Sequence, residues 1–250
     1  MSFVTVSHVD KTFPTVKAVA DASFHLDENE FVSLVGTSGC GKSTVLAMIA
    51  GLTAPTAGEI TAGGQAVRGP GRDRGVVFQS SSLMPWLTAL RNVEFALEDE
   101  PLTRAQRREI AREHLALVGL TGFETSYPAQ LSGGMQQRVA IARSLSYKPR
   151  ILLMDEPFGA LDALTRRDMQ VLLTDVWEAH RLTVLMVTHD IEEAILTSDR
   201  VLVMSPRPGR IRAEFSVPLE RPRHIDMLDR PESRALFNDI LAAVKQPVDE

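Results

Sequence analysis

Gly36 to Ser43 read GTSGCGKS, a glycine-rich string closed by Lys and Ser. It follows the apolar run Phe31-Val32-Ser33-Leu34-Val35 and precedes Val45, Leu46, Met48 and Ile49 at helical spacing. That strand–loop–helix context gives a G-x-x-x-x-G-K-[ST] match its weight. The chemistry is phosphate binding. Backbone N–H groups of Gly36, Thr37, Ser38, Gly39, Cys40 and Gly41 can curl around a β-phosphate, and the helix N-terminus adds positive potential. Lys42 should reach the β- and γ-phosphates, and the Ser43 hydroxyl should ligate Mg²⁺. Cys40 reads as a small residue chosen for size.

A second cluster closes the run Ile151-Leu152-Leu153-Met154 with Asp155 and Glu156. In open α/β sheets, groups at the carboxyl ends of strands line the ligand crevice. Asp155 suits Mg²⁺ through its water shell. Glu156 can polarise an attacking water, a general-base contribution of ~10²–10⁴ in rate. Gln79 follows the run Gly75-Val76-Val77-Phe78, and His189 follows Val184 to Val187. Gln79 can touch Mg²⁺ or water, and by starting the segment after its strand it can report γ-phosphate occupancy. His189 can hydrogen-bond the γ-phosphate or position the water and Glu156.

Leu131 to Arg138 read LSGGMQQR, before a helical stretch with Val139, Ala142 and Leu145. Ser132 suits an N-cap ahead of Gly133 and Gly134. A capped helix N-terminus is also an anion site, so both roles hold together.

The elements that must position these residues follow from hydrophobic periodicity. Phe31–Val35, Gly75–Phe78, Ile151–Met154, Val184–Val187 and Val201–Met204 read as buried strands. Between them, Ile110, Ala111, His114, Leu115 and Val118 make one helical stripe; Met169, Leu172, Leu173, Val176 and Trp177 make another. The alternation predicts a doubly wound α/β core. Residues 80–146 carry helical periods and few strand signals, which predicts an inserted helical subdomain. The core is expected over about 1–79 and 147–220. A C-terminal tail, 221–250, should form a short helix with Leu236, Phe237, Ile240, Leu241 and Val244 inward.

Composition narrows the partners. Hydrophobic residues are 44% and charged residues 24% of 250, which suits a folded domain rather than a disordered chain. A net charge of −5 gives no global pull toward nucleic acid. One cysteine forbids an intrachain disulfide and fits a reducing compartment. The opening MSFVTVSHVDKTF lacks the basic and long apolar parts of a signal peptide. No run approaches the ~18 apolar residues of a membrane span, so a membrane role must pass through a partner.

Taken together and in this order, GTSGCGKST, Gln79, LSGGMQQR, ILLMDEP, GALD (Gly159 to Asp162) and His189 resemble the ATP-binding cassette (ABC) ATPase subunits of transporters. The resemblance covers essentially the whole chain. It implies the ABC ATPase fold: a P-loop NTPase core, the inserted helical subdomain and a small N-terminal antiparallel β region, in one domain over 1–250. It implies ATP hydrolysis with Mg²⁺ in a head-to-tail homodimer. Lys42, Ser43 and Thr44 of one subunit would then meet ATP together with Ser132, Gly133, Gly134 and Gln136 of the other. Phe13 matches the position of an aromatic that stacks on adenine, with a packed strand residue as the alternative. Asp162 matches the loop linking the two sites.

A finer similarity is to importers of the nitrate/sulfonate/taurine type. It rests on GPGRDRGVVFQ, LMPWLTALRNV, PFGALDALTR and HDIEEAI followed by DRVLVMSPRPGRI. It implies integral membrane permease subunits, an extracytoplasmic solute-binding protein acting indirectly, no nucleic acid, and a peripheral place on the cytoplasmic face of the cell membrane. Leu83, Met84, Pro85, Trp86 and Leu87 form a dense apolar cluster that is either local core or a permease interface. A soluble ABC protein of DNA repair or translation is the alternative, although such proteins usually carry two cassettes or a long coiled-coil insertion. A P-loop kinase or GTPase would leave LSGGMQQR and His189 unexplained. The transported solute is not encoded in this chain.

Overall fold

In chain order the strands and helices are β1 (Ser2–Phe13), β2 (Val16–Asp27), β3 (Phe31–Val35), α1 (Lys42–Ile49), β4 (Ala57–Ala62), β5 (Gln65–Ala66), β6 (Arg74–Val77), α2 (Ala89–Phe95) and α3 (Arg104–Leu117). There follow α4 (Gly133–Leu145), β7 (Ile151–Asp155), α5 (Ala163–His180), β8 (Thr183–Thr188), α6 (Ile191–Thr197), β9 (Arg200–Met204), β10 (Ile211–Ser216) and α7 (Pro231–Lys245). This computed structural model describes residues 2–180 and 182–246. The chain divides into two units, Met1–Gly71 with Arg181–Glu250, and Arg72–His180.

In the first unit, β3 runs parallel to both β8 and β9, with Leu34 opposite Val187 on one side and Leu202 on the other. Every residue of these three strands is buried. Their sequences are therefore near-continuous apolar runs rather than alternating ones. α6 makes the crossover from β8 to β9 that a parallel arrangement requires. β10 pairs antiparallel with β9. A separate antiparallel sheet has the order β2-β1-β4-β5. From Ala20 to Asp27, β2 alternates buried and exposed residues, the period of a sheet with one covered face.

Within 221–246 the chain forms one α-helix, α7. Ile240 and Ala243 of α7 join Ile195, Val201, Val203 and Val217 in the core, and Leu236, Phe237, Leu241 and Val244 pack against it. Buried Arg223 fixes the approach to this helix by donating to the carbonyls of Leu219 and Ile195 at 3.1 and 2.9 Å. Residues 247–250 of the expected tail lie outside the described residues.

In the second unit, β6 and β7 pair in parallel, Val77 opposite Met154. β6 ends at Val77, one residue before the expected end, and Phe78 is exposed. Ser144 of α4 donates to the Val76 carbonyl at 2.8 Å. From 80 to 146 the described residues hold α2, α3, α4 and a 3-10 turn at Pro128–Gln130, and no strand. Each of these helices opens on a side-chain cap, respectively Thr88, Thr103 and Ser132. Thr103 and Gln106 complete a reciprocal capping box. Among the described residues no helix is long and apolar enough to cross a membrane.

Candidate nucleotide site

The phosphate loop leaves β3 and enters α1, as its spacing predicts. Gly39 and Gly41 have φ of 75° and 111°, a region that costs glycine nothing. Thr37, Ser38, Gly39 and Ser43 are exposed, and Cys40 is buried behind them. Lys42 is only 4% exposed. Its ammonium donates to the carbonyls of Gly36 at 2.8 Å and Thr37 at 3.1 Å. Thus the lysine folds back over the loop that a phosphate would fill. Burial pushes the Cys40 thiol up and outweighs the lowering pull of Lys42. The thiol stays protonated at neutral pH, which agrees with a packing role.

His189 is exposed at the turn from β8 into α6. Buried partners hold that turn. Thr188 Oγ1 donates to Glu193 at 2.7 Å and accepts the Asp190 N–H at 3.0 Å. The Asp190 carboxylate caps α6 through the N–H groups of Glu192 and Glu193. Phe13 ends β1, is 40% exposed, and carries the Lys11 ammonium 5.1 Å from its ring centroid. At that exposure Phe13 is not a fully packed strand residue.

In the second unit, Asp155 ends β7 and Glu156 follows with φ of 44°. The Gly159 N–H donates to the Glu156 carbonyl at 3.1 Å, closing a tight turn. The structure brings two expected site residues together: the Gln79 amide donates to the Glu156 carboxylate at 3.3 Å. Gln137, which sequence reasoning passed over, donates from α4 to the Phe78 carbonyl at 3.1 Å and so fixes the residue before Gln79. Nothing in its sequence context separates it from a solvated glutamine.

Ser132 caps α4 by accepting the Met135 N–H at 3.2 Å, and both Ser132 and Gly133 are exposed. A Cβ on Gly133 would meet nothing within 4 Å. Gly134 differs. Its added Cβ would fall well inside 3.0 Å of the Thr165 methyl. Thr165 is held in turn by Asp162, whose carboxylate accepts its hydroxyl at 2.7 Å and its N–H at 3.1 Å. These bonds hold the Asp162 carboxyl below the usual range. Gln136 turns inward. Its amide donates to the carbonyls of Pro128 and Leu131 and accepts from Ser81.

The loop after Gln79 is also built from within. The buried Asn92 amide donates to the carbonyls of Met84, Leu87 and Thr88 and accepts the Met84 N–H at 2.8 Å. It holds Trp86 on a fixed loop at 70% exposure.

A family model described as ABC transporter matches residues 19–159. The chain is 45% identical to the bicarbonate transport ATP-binding protein CmpD of Synechocystis, over 91% of this chain and 83% of that one. It is 50% identical to the nitrate import ATP-binding protein NrtD of the same organism, over 82% and 77%. Among solved structures, the dimeric ATP-binding cassette MJ0796 in a post-hydrolysis state with ADP and phosphate superposes with a TM-score of 0.77. That match has 36% identity and covers 87% of this chain and 100% of that one. The phosphate loop, the acidic strand end and α4, the signature helix that Ser132 of LSGGMQQR caps, thus stand in a chain that belongs to the ABC transporter ATP-binding family, whose members are ATPases.

Proposed function

We propose that this chain energises solute import: two copies close head to tail on two ATP molecules and drive permease subunits in the membrane. The observation that carries this reading is the outward end of α4. Ser132 and Gly133 are exposed at a capped N-terminus, a ready anion site, and an added Cβ on Gly133 meets no described atom within 4 Å. Such a site is suited to a γ-phosphate held by the phosphate loop of a second copy. The dimeric state of the MJ0796 cassette lends support.

The roles follow from the chemistry of each group. Lys42 leaves the Gly36 and Thr37 carbonyls and binds phosphate, with the N–H groups from Gly36 to Ser43 and Thr44 around it. Phe13 stacks on adenine. Glu156, oriented by Gln79, accepts a proton from the attacking water, and His189 steadies that water or the γ-phosphate. Ser43 and Asp155 offer hard oxygen donors of the type Mg²⁺ selects, with Gln79 as a further oxygen. Bound there, Mg²⁺ would neutralise charge on the β- and γ-phosphates.

Residues 80–146 serve as the helical subdomain that moves with Gln79. Its Trp86 loop receives a cytoplasmic segment of the permease. Cargo is taken to be nitrate, sulfonate, taurine or a related small solute, delivered by an extracytoplasmic binding protein; the names of NrtD and CmpD support the oxyanion part of that class. The chain then sits peripherally on the cytoplasmic face.

A mixed-dimer experiment tests the shared site. Ser132→Arg puts a cation and bulk at the signature helix, and Lys42→Ala disables the loop. Mixing the two variants leaves one composite site with both defects and one intact. Each homodimer should be inactive in the permease-coupled transporter, and the mixture should regain hydrolysis. Normal hydrolysis by Ser132→Arg alone would remove the shared-site reading.

A further inference from the structure

The segment Ser205–Arg210, SPRPGR, joins β9 to β10 and has no part in the roles above. It is a rigid turn. Ser205 N–H donates to the Arg210 carbonyl at 2.9 Å, and Ser205 Oγ accepts the Arg210 N–H at 3.0 Å. The turn is sewn to β2. Gly209 N–H donates to the Ala18 carbonyl, and Ala20 N–H donates to the Gly209 carbonyl, each at 2.9 Å.

From this anchored position the turn underlies the phosphate loop. Arg207 donates from both Nε, at 3.1 Å, and Nη2, at 3.0 Å, to the carbonyl of Gly39. A Cβ on Gly209 would fall well inside 3.0 Å of the Cys40 carbonyl. The adjoining strand ends close the remaining gaps. A Cβ on Gly36 would lie 2.8 Å from the Met204 carbonyl, and one on Gly41 would lie 2.8 Å from the Ala18 carbonyl. The outer face of the loop is thus held at Gly36, Gly39, Cys40 and Gly41.

Its inner face is held differently. There Lys42 supplies the bonds, to the carbonyls of Gly36 and Thr37. Phosphate binding claims that ammonium, so the inner bonds are lost as nucleotide enters. The Arg207 fork involves no atom that phosphate would claim, because it lands on a carbonyl while phosphate takes N–H groups. We propose that Arg207 is a positioning residue: its forked bond to Gly39 keeps the N–H groups of the phosphate loop convergent during nucleotide exchange and so sets nucleotide affinity. The inference rests on the phosphate-loop reading of Gly36–Ser43. A binding-competent shape that is only partly populated weakens apparent affinity in proportion.

The test uses the full chain and titration calorimetry with MgATP and MgADP. Arg207 is exposed and its side chain is no part of the core, so its variants should fold. Arg207→Ala should weaken both nucleotides by a similar factor, roughly 5–20-fold, the range expected for charge-assisted bonds at an exposed site. Turnover at saturating ATP in the permease-coupled transporter should stay within about twofold, so the change appears in KM rather than kcat. Arg207→Lys keeps the charge but not the fork and should fall between. Full affinity in Arg207→Lys with loss in Arg207→Ala would make the residue a charge on phosphate, not a brace, and overturn the proposal. So would unchanged affinity in Arg207→Ala, with or without a lower melting temperature. A wild-type chain that binds neither nucleotide would instead sink the phosphate-loop reading beneath it.

Discussion

Gly134→Ala separates two reasons for a glycine in the signature helix. The added Cβ would land well inside 3.0 Å of Thr165 Cγ2, against the ~3.5–4.0 Å that carbon atoms prefer. Thr165 cannot simply turn away. Its hydroxyl is bonded to Asp162 at 2.7 Å, and rotation of χ1 breaks that bond. Alanine favours a helix over glycine by about 1 kcal/mol in the interior, and by less in the first turn. Overpacking costs ~1–3 kcal/mol. The clash therefore wins, and Gly134→Ala should lose about 1–2 kcal/mol. For a chain of this size that is a fall of roughly 2–8 °C in melting temperature.

Thr165→Ser removes the methyl and keeps the hydroxyl for Asp162. The double variant should return to wild-type stability or slightly above, a coupling of ~1–3 kcal/mol between neighbours. Thermal melts of the four proteins at fixed nucleotide and protein concentration measure it. A Gly134→Ala chain as stable as wild type, or one that Thr165→Ser does not rescue, would refute the packing argument. Hydrolysis in the same set then reports on the other reason. Recovery of stability without recovery of turnover would assign the glycine to room for phosphate rather than room for Thr165.

Four further outcomes are expected. Glu156→Gln should cut hydrolysis by ~10²–10⁴ while ATP still binds, because the amide cannot take the water's proton; phosphate release against nucleotide binding measures the split, and near-normal turnover would exclude Glu156 as the main base. Lys42→Ala should weaken ATP binding and turnover together, and retention of both would remove the phosphate-loop assignment. Asn92→Ala deletes the buried amide that holds Met84, Leu87 and Thr88 and should cost ~2–4 kcal/mol by denaturant titration. The same change should reduce co-purification with the permease. His114 is held below the ordinary imidazole range by burial, so the unfolded chain takes up the proton first. Its contribution is complete above about pH 6.5 and is lost as pH falls through the lower folded value; His114→Leu should flatten that acid limb in melts at stepped pH.

The parts of the site legible in the sequence are those where an apolar run stops at a polar residue. β3 ends at the phosphate loop, β7 at Asp155 and Glu156, and β8 just before His189. Burial on both faces forces the run to be apolar, and the strand end forces the change, so both signals are local. The groups that hold these residues were not legible. Asn92, Gln137 and Glu193 are buried polar side chains bonded across 4 to 59 positions, and a polar residue reads the same whether it is solvated or clamped. Gln136 shows the converse. Its place in LSGGMQQR suggested nucleotide, whereas its amide is engaged with Ser81, Pro128 and Leu131. β1 and β2 also escaped a run-by-run reading. Their pairing slips in register between Val6 and Val9, with His8 and Asp21 at φ of 49° and 50°. Each bulge reverses the face on which the next apolar residue belongs, so the period of two is broken.

Left-handed backbone separates residues that are there for their shape from those that are there for their chemistry. Gly39 and Gly41 adopt it in the phosphate loop, where the chain must curl and where Ala18 and Arg207 crowd in. His8, Asp21 and Asn29 adopt it too, and their types tolerate that region well. Lys148 does so just past the end of α4, where its N–H closes the helix onto Leu145. Glu156 fits none of these groups. It sits at φ of 44° beyond a strand, where glycine would relieve a strain of order 1–3 kcal/mol. A glycine there would keep the Gly159 turn, which uses only the Glu156 carbonyl. What it would lose is the carboxylate that receives the Gln79 amide. The position thus keeps a strained side chain whose carboxylate meets the Gln79 amide, which the general-base role proposed for Glu156 requires and the turn itself does not.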